Sequence, residues 1–191
     1  MLKYFIFGFP MLFASLFSFF GGKEDPHKKN QALMGNIINS SIKQLSNRYG
    51  IVAIGGGGGE KEGKSWLKSV SFHLYRKLTK EEARILLIEI VELFLHNINN
   101  NKEITPYLYD HPFTYRNLEF AVFFYNKDRS DFYHPDIGLI SLTPRGTVSF
   151  VTYAPGALCE YASDVEETYE EAYKIATQRH YKPAAESNEA L

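Results

Sequence analysis

Residues 55–65, GGGGGEKEGKS, decide between two architectures. The stretch ends in a formal match to the phosphate-cradling pattern G-x-x-x-x-G-K-[ST], with Gly58, Gly63, Lys64 and Ser65 in the four fixed places. A working loop of that kind has a strand before it and backbone N–H groups turned in around the phosphates. It also needs a lysine on the terminal phosphates, a hydroxyl for magnesium and a helix immediately behind. It sits in a parallel sheet built from alternating strands and helices. A glycine-rich hairpin connection needs only a strand on each side, and belongs to an antiparallel α+β fold.

The apolar GIVAIG before the glycines supplies a strand, and Lys64 with Ser65 supplies the charge and hydroxyl that a magnesium nucleotide would use. Glu60 and Glu62 stand against this. Carboxylates inside a loop that surrounds phosphates cost about 1 to 4 kcal/mol each, of which Lys61 offsets a part. The remaining parts are also missing from their expected places. LEFAVFFYNKD puts Asn126 and Lys127 ahead of Asp128 in a hairpin-like loop, and the acid of ILLIEIVE lies inside a capped helix. The preferred reading is a glycine-rich loop joining strands at 51–54 and 66–75. A small phosphate-loop protein using Gly58, Gly63, Lys64 and Ser65 with magnesium and a nucleotide is the alternative.

Upstream, residues 32–49 carry Leu33, Met34, Ile37, Ile38, Ile42 and Leu45 at helical spacing, which predicts an amphipathic helix. Residues 23–31, KEDPHKKNQ, read as a polar linker broken by proline. Before them, the run after Lys3 carries no charge until Lys23, so residues 1–22 read as a signal peptide or a retained membrane anchor. The cleavage signal is poor, because Phe20 precedes Gly22 and Phe19 precedes Gly21 at the small-residue spacing. Lys23, Lys28 and Lys29 outnumber Lys3, which favours a cytoplasmic domain if the segment stays in the membrane, whereas a signal peptide exports it. The domain is therefore expected to be exported or membrane-anchored, with the side of the membrane open.

Downstream, Thr79 and Glu82 have capping-box spacing ahead of ARILLIEIVELFLHNI, which predicts a central buried helix. NLEFAVFFYN, IGLISLT and TVSFVTYA follow as three strands rich in β-branched and aromatic residues, the last two joined by a turn at Thr143-Pro144-Arg145-Gly146. Ser163 and Glu166 repeat the capping-box spacing, with Val165, Tyr169, Ala172, Tyr173 and Ala176 on one stripe, and predict a last helix. Residues 179–191 read as a disordered tail. The expected fold is a single α+β domain over 32–178. Its order is α-β-β-α-β-β-β-α, with about five mainly antiparallel strands and helices on one face, behind an N-terminal hydrophobic helix.

Composition narrows the function classes. Of 191 residues, 21 are basic and 22 acidic, so no net field draws nucleic acid, and none is expected as a partner. A lone cysteine, Cys159, excludes an intramolecular disulfide and a multi-cysteine zinc site. As a nucleophile it would need a histidine beside it. Asp110 and His111, with Asp131, His134 and Asp136, are the weak candidates for a metal or acid/base site, but they lack the spacing that holds ligands on one rigid face. His73 and His96 read as side chains on a strand and a helix. Tyr107, Tyr109, Phe113, Tyr115, Phe132 and Tyr133 gather in the loops around the central strand, and Tyr153 and Tyr161 follow the hairpin; they cap the core or line an apolar groove. These observations point to a non-enzymatic interaction or ligand-binding domain, with the membrane met by the N-terminal segment and an unidentified protein or small apolar ligand met by the domain.

Overall fold

The computed structural model describes residues 25–156 and 160–180. The hydrophobic segment at 1–22, Cys159 and residues 181–191 lie outside them. Among the described residues no helix is long and apolar enough to cross a membrane.

The first helix, α1, spans Pro26–Tyr49 and so begins inside the stretch read as a linker. Pro26 opens it rather than breaking a chain, because proline lacks the N–H that a first turn leaves unpaired. The Asp25 carboxylate caps it by accepting the His27 N–H at 3.0 Å, and Gly50 closes it at a left-handed φ of 71°. The hairpin strands β1, Val52–Lys61, and β2, Lys64–Leu74, come next. Helix α2, Lys80–Asn99, follows with the predicted capping box formed: Thr79 N–H donates to Glu82 at 2.8 Å and Glu82 N–H donates to the Thr79 hydroxyl at 3.2 Å. The Thr79 N–H and hydroxyl, both donating to the Glu82 carboxylate, hold that carboxyl below its usual range.

Strands β3, Leu118–Phe124, β4, Leu139–Leu142, and β5, Thr147–Tyr153, occupy the predicted stretches. The β4–β5 turn is the expected one, closed by a bond from Gly146 N–H to the Thr143 carbonyl at 2.9 Å. The segment at 161–168, expected to start the last helix, is instead a sixth strand, β6, Tyr161–Thr168, paired antiparallel to β5. Helix α3, Tyr169–His180, starts six residues after the apparent cap at Ser163 and reaches into the stretch read as a tail. Its real capping pair is Thr168 and Glu171, whose reciprocal bonds are 2.9 and 3.2 Å long. Ser163 and Glu166 are committed to β5 instead, Ser163 to Thr152 at 2.8 Å and Glu166 to Ser149 at 3.5 Å.

All six strands form one sheet in chain order, β1-β2-β3-β4-β5-β6. It is mixed rather than simply antiparallel, because β2 and β3 run parallel with α2 as their crossover. Val70, Phe72 and Leu74 of β2, Leu118, Phe120, Val122 and Phe124 of β3, and Ile140, Leu142, Val148 and Phe150 beyond them join residues of all three helices in one core. With a side-chain period of two, these residues share the face on which the helices lie. Helix α2 runs along the middle, α1 flanks it over β1 and β2, and α3 flanks it over β5 and β6.

Candidate binding groove

The motif residues do not build a phosphate loop. Gly58 lies within β1, and the chain reverses in two residues, Glu62 and Gly63, whose φ values of 52° and 72° are those of a tight hairpin turn. Lys64 opens strand β2 where a nucleotide site requires a helix, and its side chain is exposed. The Ser65 hydroxyl, the expected magnesium ligand, is fully buried and donates to Asn30 Oδ1 at 3.2 Å. Asn30, itself buried, also reaches the Gly63 carbonyl at 3.5 Å, so this polar pair pins the start of α1 to the hairpin. The glycines also do not form the long mobile loop expected from sequence. They are extended strand, paired residue by residue with β2 from Gly55↔Ser71 to Gly59↔Leu67.

Three of them have no room for a side chain: a Cβ on Gly56 would stand 2.8 Å from the Ser69 carbonyl oxygen. A Cβ on Gly58 would stand 2.5 Å from the Leu67 carbonyl oxygen, and one on Gly59 would stand 2.3 Å from Trp66 Nε1. The bareness of β1 has a larger consequence on the helix side of the sheet. Where other strands send apolar side chains up to the helices, β1 sends almost none, and a groove of about 440 Å³ is left between α1 and the hairpin. Met34, Ile38 and Ile42 form its apolar wall, and Ala53, the glycine backbone at 55–57 and Val70 form its floor.

Gly35 lies in the middle of that wall, with no atom within 4 Å of the position its Cβ would take. Glycine in a helix interior costs about 0.5–1 kcal/mol relative to alanine. Gly35→Ala is therefore expected to stabilise the domain by an increment of that size, measured as a raised urea midpoint, and a lowered midpoint would show that the space is already filled. Lys68 closes one end of the groove. Its stem lies over Gly58, and partial burial pushes the ammonium below the usual lysine range, offset in part by Glu60. No hydrogen bond or ion pair to Lys68 is formed among the described residues. The groove was not legible as a site from sequence, although a glycine at the centre of an amphipathic stripe was its visible signal.

The other candidates are dispersed. Asp110 accepts a bond from Asn117 at 3.0 Å at the start of β3, and His111 beside it is exposed. His134 lies at the opposite end of that strand, tied by its N–H to the Tyr153 carbonyl at 2.9 Å and by its ring to the Thr152 hydroxyl at 3.2 Å. About 20 Å of strand separates the two ends. Asp136 is engaged by Lys77 at 2.6 Å, and Asp131 forms a bridge with Tyr125. Among the described residues no group of three or more His, Cys, Asp or Glu side chains is placed to hold a metal ion.

His73 lies on the sheet face away from the helices, 4.8 Å from the Tyr125 ring and 3.3 Å by its Nδ1 from the Tyr75 hydroxyl. His96 is exposed near the end of α2 and meets Asn100 at 3.0 Å. The loop aromatics divide. Phe113 and Phe132 are buried, Tyr115 stacks on Tyr169 at 4.4 Å, and Tyr109, Tyr133 and Tyr161 remain exposed without forming one groove. No protein-family model, no curated protein and no solved structure matches this chain.

Proposed function

We propose that the domain is a non-enzymatic interaction or ligand-binding module, exported or tethered to a membrane by its N-terminal segment, and that it holds its ligand in the groove between α1 and the glycine strand. The observation that carries this reading is the pairing of Gly35 on the helix with the glycines of β1 across open space. A mid-helix glycine costs stability, and here no neighbour needs the room that it leaves. Met34, Ile38 and Ile42 give the cleft the apolar lining of a binding site, with Lys68 as a convergent polar group.

A titration of the ¹⁵N-labelled full chain with 8-anilinonaphthalene-1-sulfonate, a small apolar anion, tests the site. Saturable amide shifts confined to 31–42 and 53–70, and abolished by Gly35→Phe, are expected. A parallel titration with magnesium ATP carries the opposing result, since saturable binding lost in Lys64→Ala would replace the groove with a nucleotide site. The geometry does not favour that outcome, because Lys64 leads a strand and Ser65 is occupied by Asn30.

A further inference from the structure

The two edges of the sheet are unlike. The outer strand β6 carries Asp164, Glu166 and Glu167 along its length, the charge pattern that discourages a further strand from pairing. The outer strand β1 carries no charged residue from Val52 to Gly59, and it exposes Val52 and Ile54 at 50% and 47% of their surface. It pairs on one side with β2, and among the described residues no strand lies against its other side. Bulges interrupt its register at 53–55 and 59–60, and the uncharged, regularly paired stretch between them is a template for another strand, which the absence of side chains at 55–59 lets approach closely.

The geometry points to an extended segment of a partner polypeptide that adds to β1 as a seventh strand, with alternate apolar side chains rising into the groove beneath α1 and an acidic side chain meeting Lys68. This deepens the groove reading and rests on it. Strand addition draws its affinity from main-chain hydrogen bonds and its specificity from pockets for every second side chain, and the groove runs along the helix side of that edge. The charge at its end selects the acid. The Lys68 side chain lies over Gly58 at the edge and is partly desolvated; the charge of Glu60 acts on it, but no ion pair to it is formed among the described residues, so a carboxylate brought there gains a charge-assisted bond. The carboxylate belongs to an internal side chain rather than to a chain terminus. Lys68 stands opposite Gly58, and β1 continues beyond that point to Lys61, so a segment that follows the edge passes Lys68 rather than ending there.

The test pans a phage-displayed random dodecapeptide library against the full chain and titrates the synthesised winners. Enriched sequences with apolar residues at alternate positions and an internal Asp or Glu are expected. Their affinity should fall at least tenfold in Lys68→Glu and in Gly35→Phe, with far-UV circular dichroism confirming that both variants are folded. Lys68→Gln provides a milder removal of the charge and should weaken binding in the same direction. N-methylation of alternate peptide amides should abolish binding in one register and spare it in the other, since an added strand uses one edge only. Equal effects of the two registers, binding indifferent to the Lys68 and Gly35 variants, or no enrichment over a blank surface would overturn strand addition. So would sedimentation showing a dimer that Gly35→Phe dissociates, because a second copy would then occupy the edge. Groove-confined shifts with the naphthalene sulfonate alongside failed peptide selection would leave the groove standing and remove the strand. Failure of both would remove both.

Discussion

Glu167→Ala is expected to destabilise the domain by about 3–5 kcal/mol, the cost of leaving a buried charge without its partner. Arg84 on α2 has 6% of its side chain exposed and is held by Glu167 of β6 in a two-pronged contact, Nε to Oε1 at 2.6 Å and Nη2 to Oε2 at 2.9 Å. Glu81 lies at 4.0 Å, too far for a hydrogen bond, with 42% of its side chain exposed, so it replaces little of what is lost. The guanidinium also rests over the Phe150 ring at 5.3 Å, which fixes it in a site that water does not reach freely. Urea unfolding followed by tryptophan fluorescence measures the effect as a midpoint lowered by at least about 1 M. The double variant Arg84→Met, Glu167→Leu should recover most of the loss, because an apolar pair of similar size carries no desolvation cost. A single-variant loss below 1 kcal/mol would mean that Arg84 finds water or another acid on relaxation.

Phe120→Ala is expected to cost a similar amount, about 3–5 kcal/mol, by a different route. Phe120 is 1% exposed near the middle of β3, with the Phe94 ring of α2 at 4.9 Å and the Phe72 ring of β2 at 6.5 Å. Truncation opens a cavity between the sheet and its central helix, where three rigid elements leave little room to collapse. The contrast lies three residues away. Phe123 is on the face without helices, is only partly buried, and meets His73 at 6.0 Å. Phe123→Ala should therefore cost well under half as much, and equal losses at the two positions would contradict a core confined to one face of the sheet. The same unfolding measurement serves both variants.

The parts of this fold that were legible in sequence are those where one physical signal acts alone. The stripe from Leu33 to Leu45 and the cap at Thr79 each have a single structural solution, and both helices form. The turn at 143–146 closes as its proline and glycine require. Errors arose where two signals overlapped. Ser163 and Glu166 have the spacing of a helix cap, but they also stand where β5 offers a full row of backbone partners, and Thr168 with Glu171 caps equally well five residues later. The parallel pairing of β2 with β3 leaves no local mark, since it follows from how α2 crosses the sheet.

The glycine stretch carried the least information. Without side chains it has no periodicity, so strand, loop and phosphate cradle read alike until β2 supplies a partner. The groove follows from the same bareness. Lys68 and Gly35 are unremarkable one at a time, and only the fold sets them around one cleft.

The sheet's spatial order repeats its chain order from first strand to last. Each strand after β1 therefore docks beside the one made just before it, and finds that partner already synthesised. Four of the five pairings are antiparallel, and α2 spans the parallel one. Apart from the β2–β3 crossover, such a topology pairs strands that are close in the chain, and the sheet can be extended progressively from one end as the chain is synthesised.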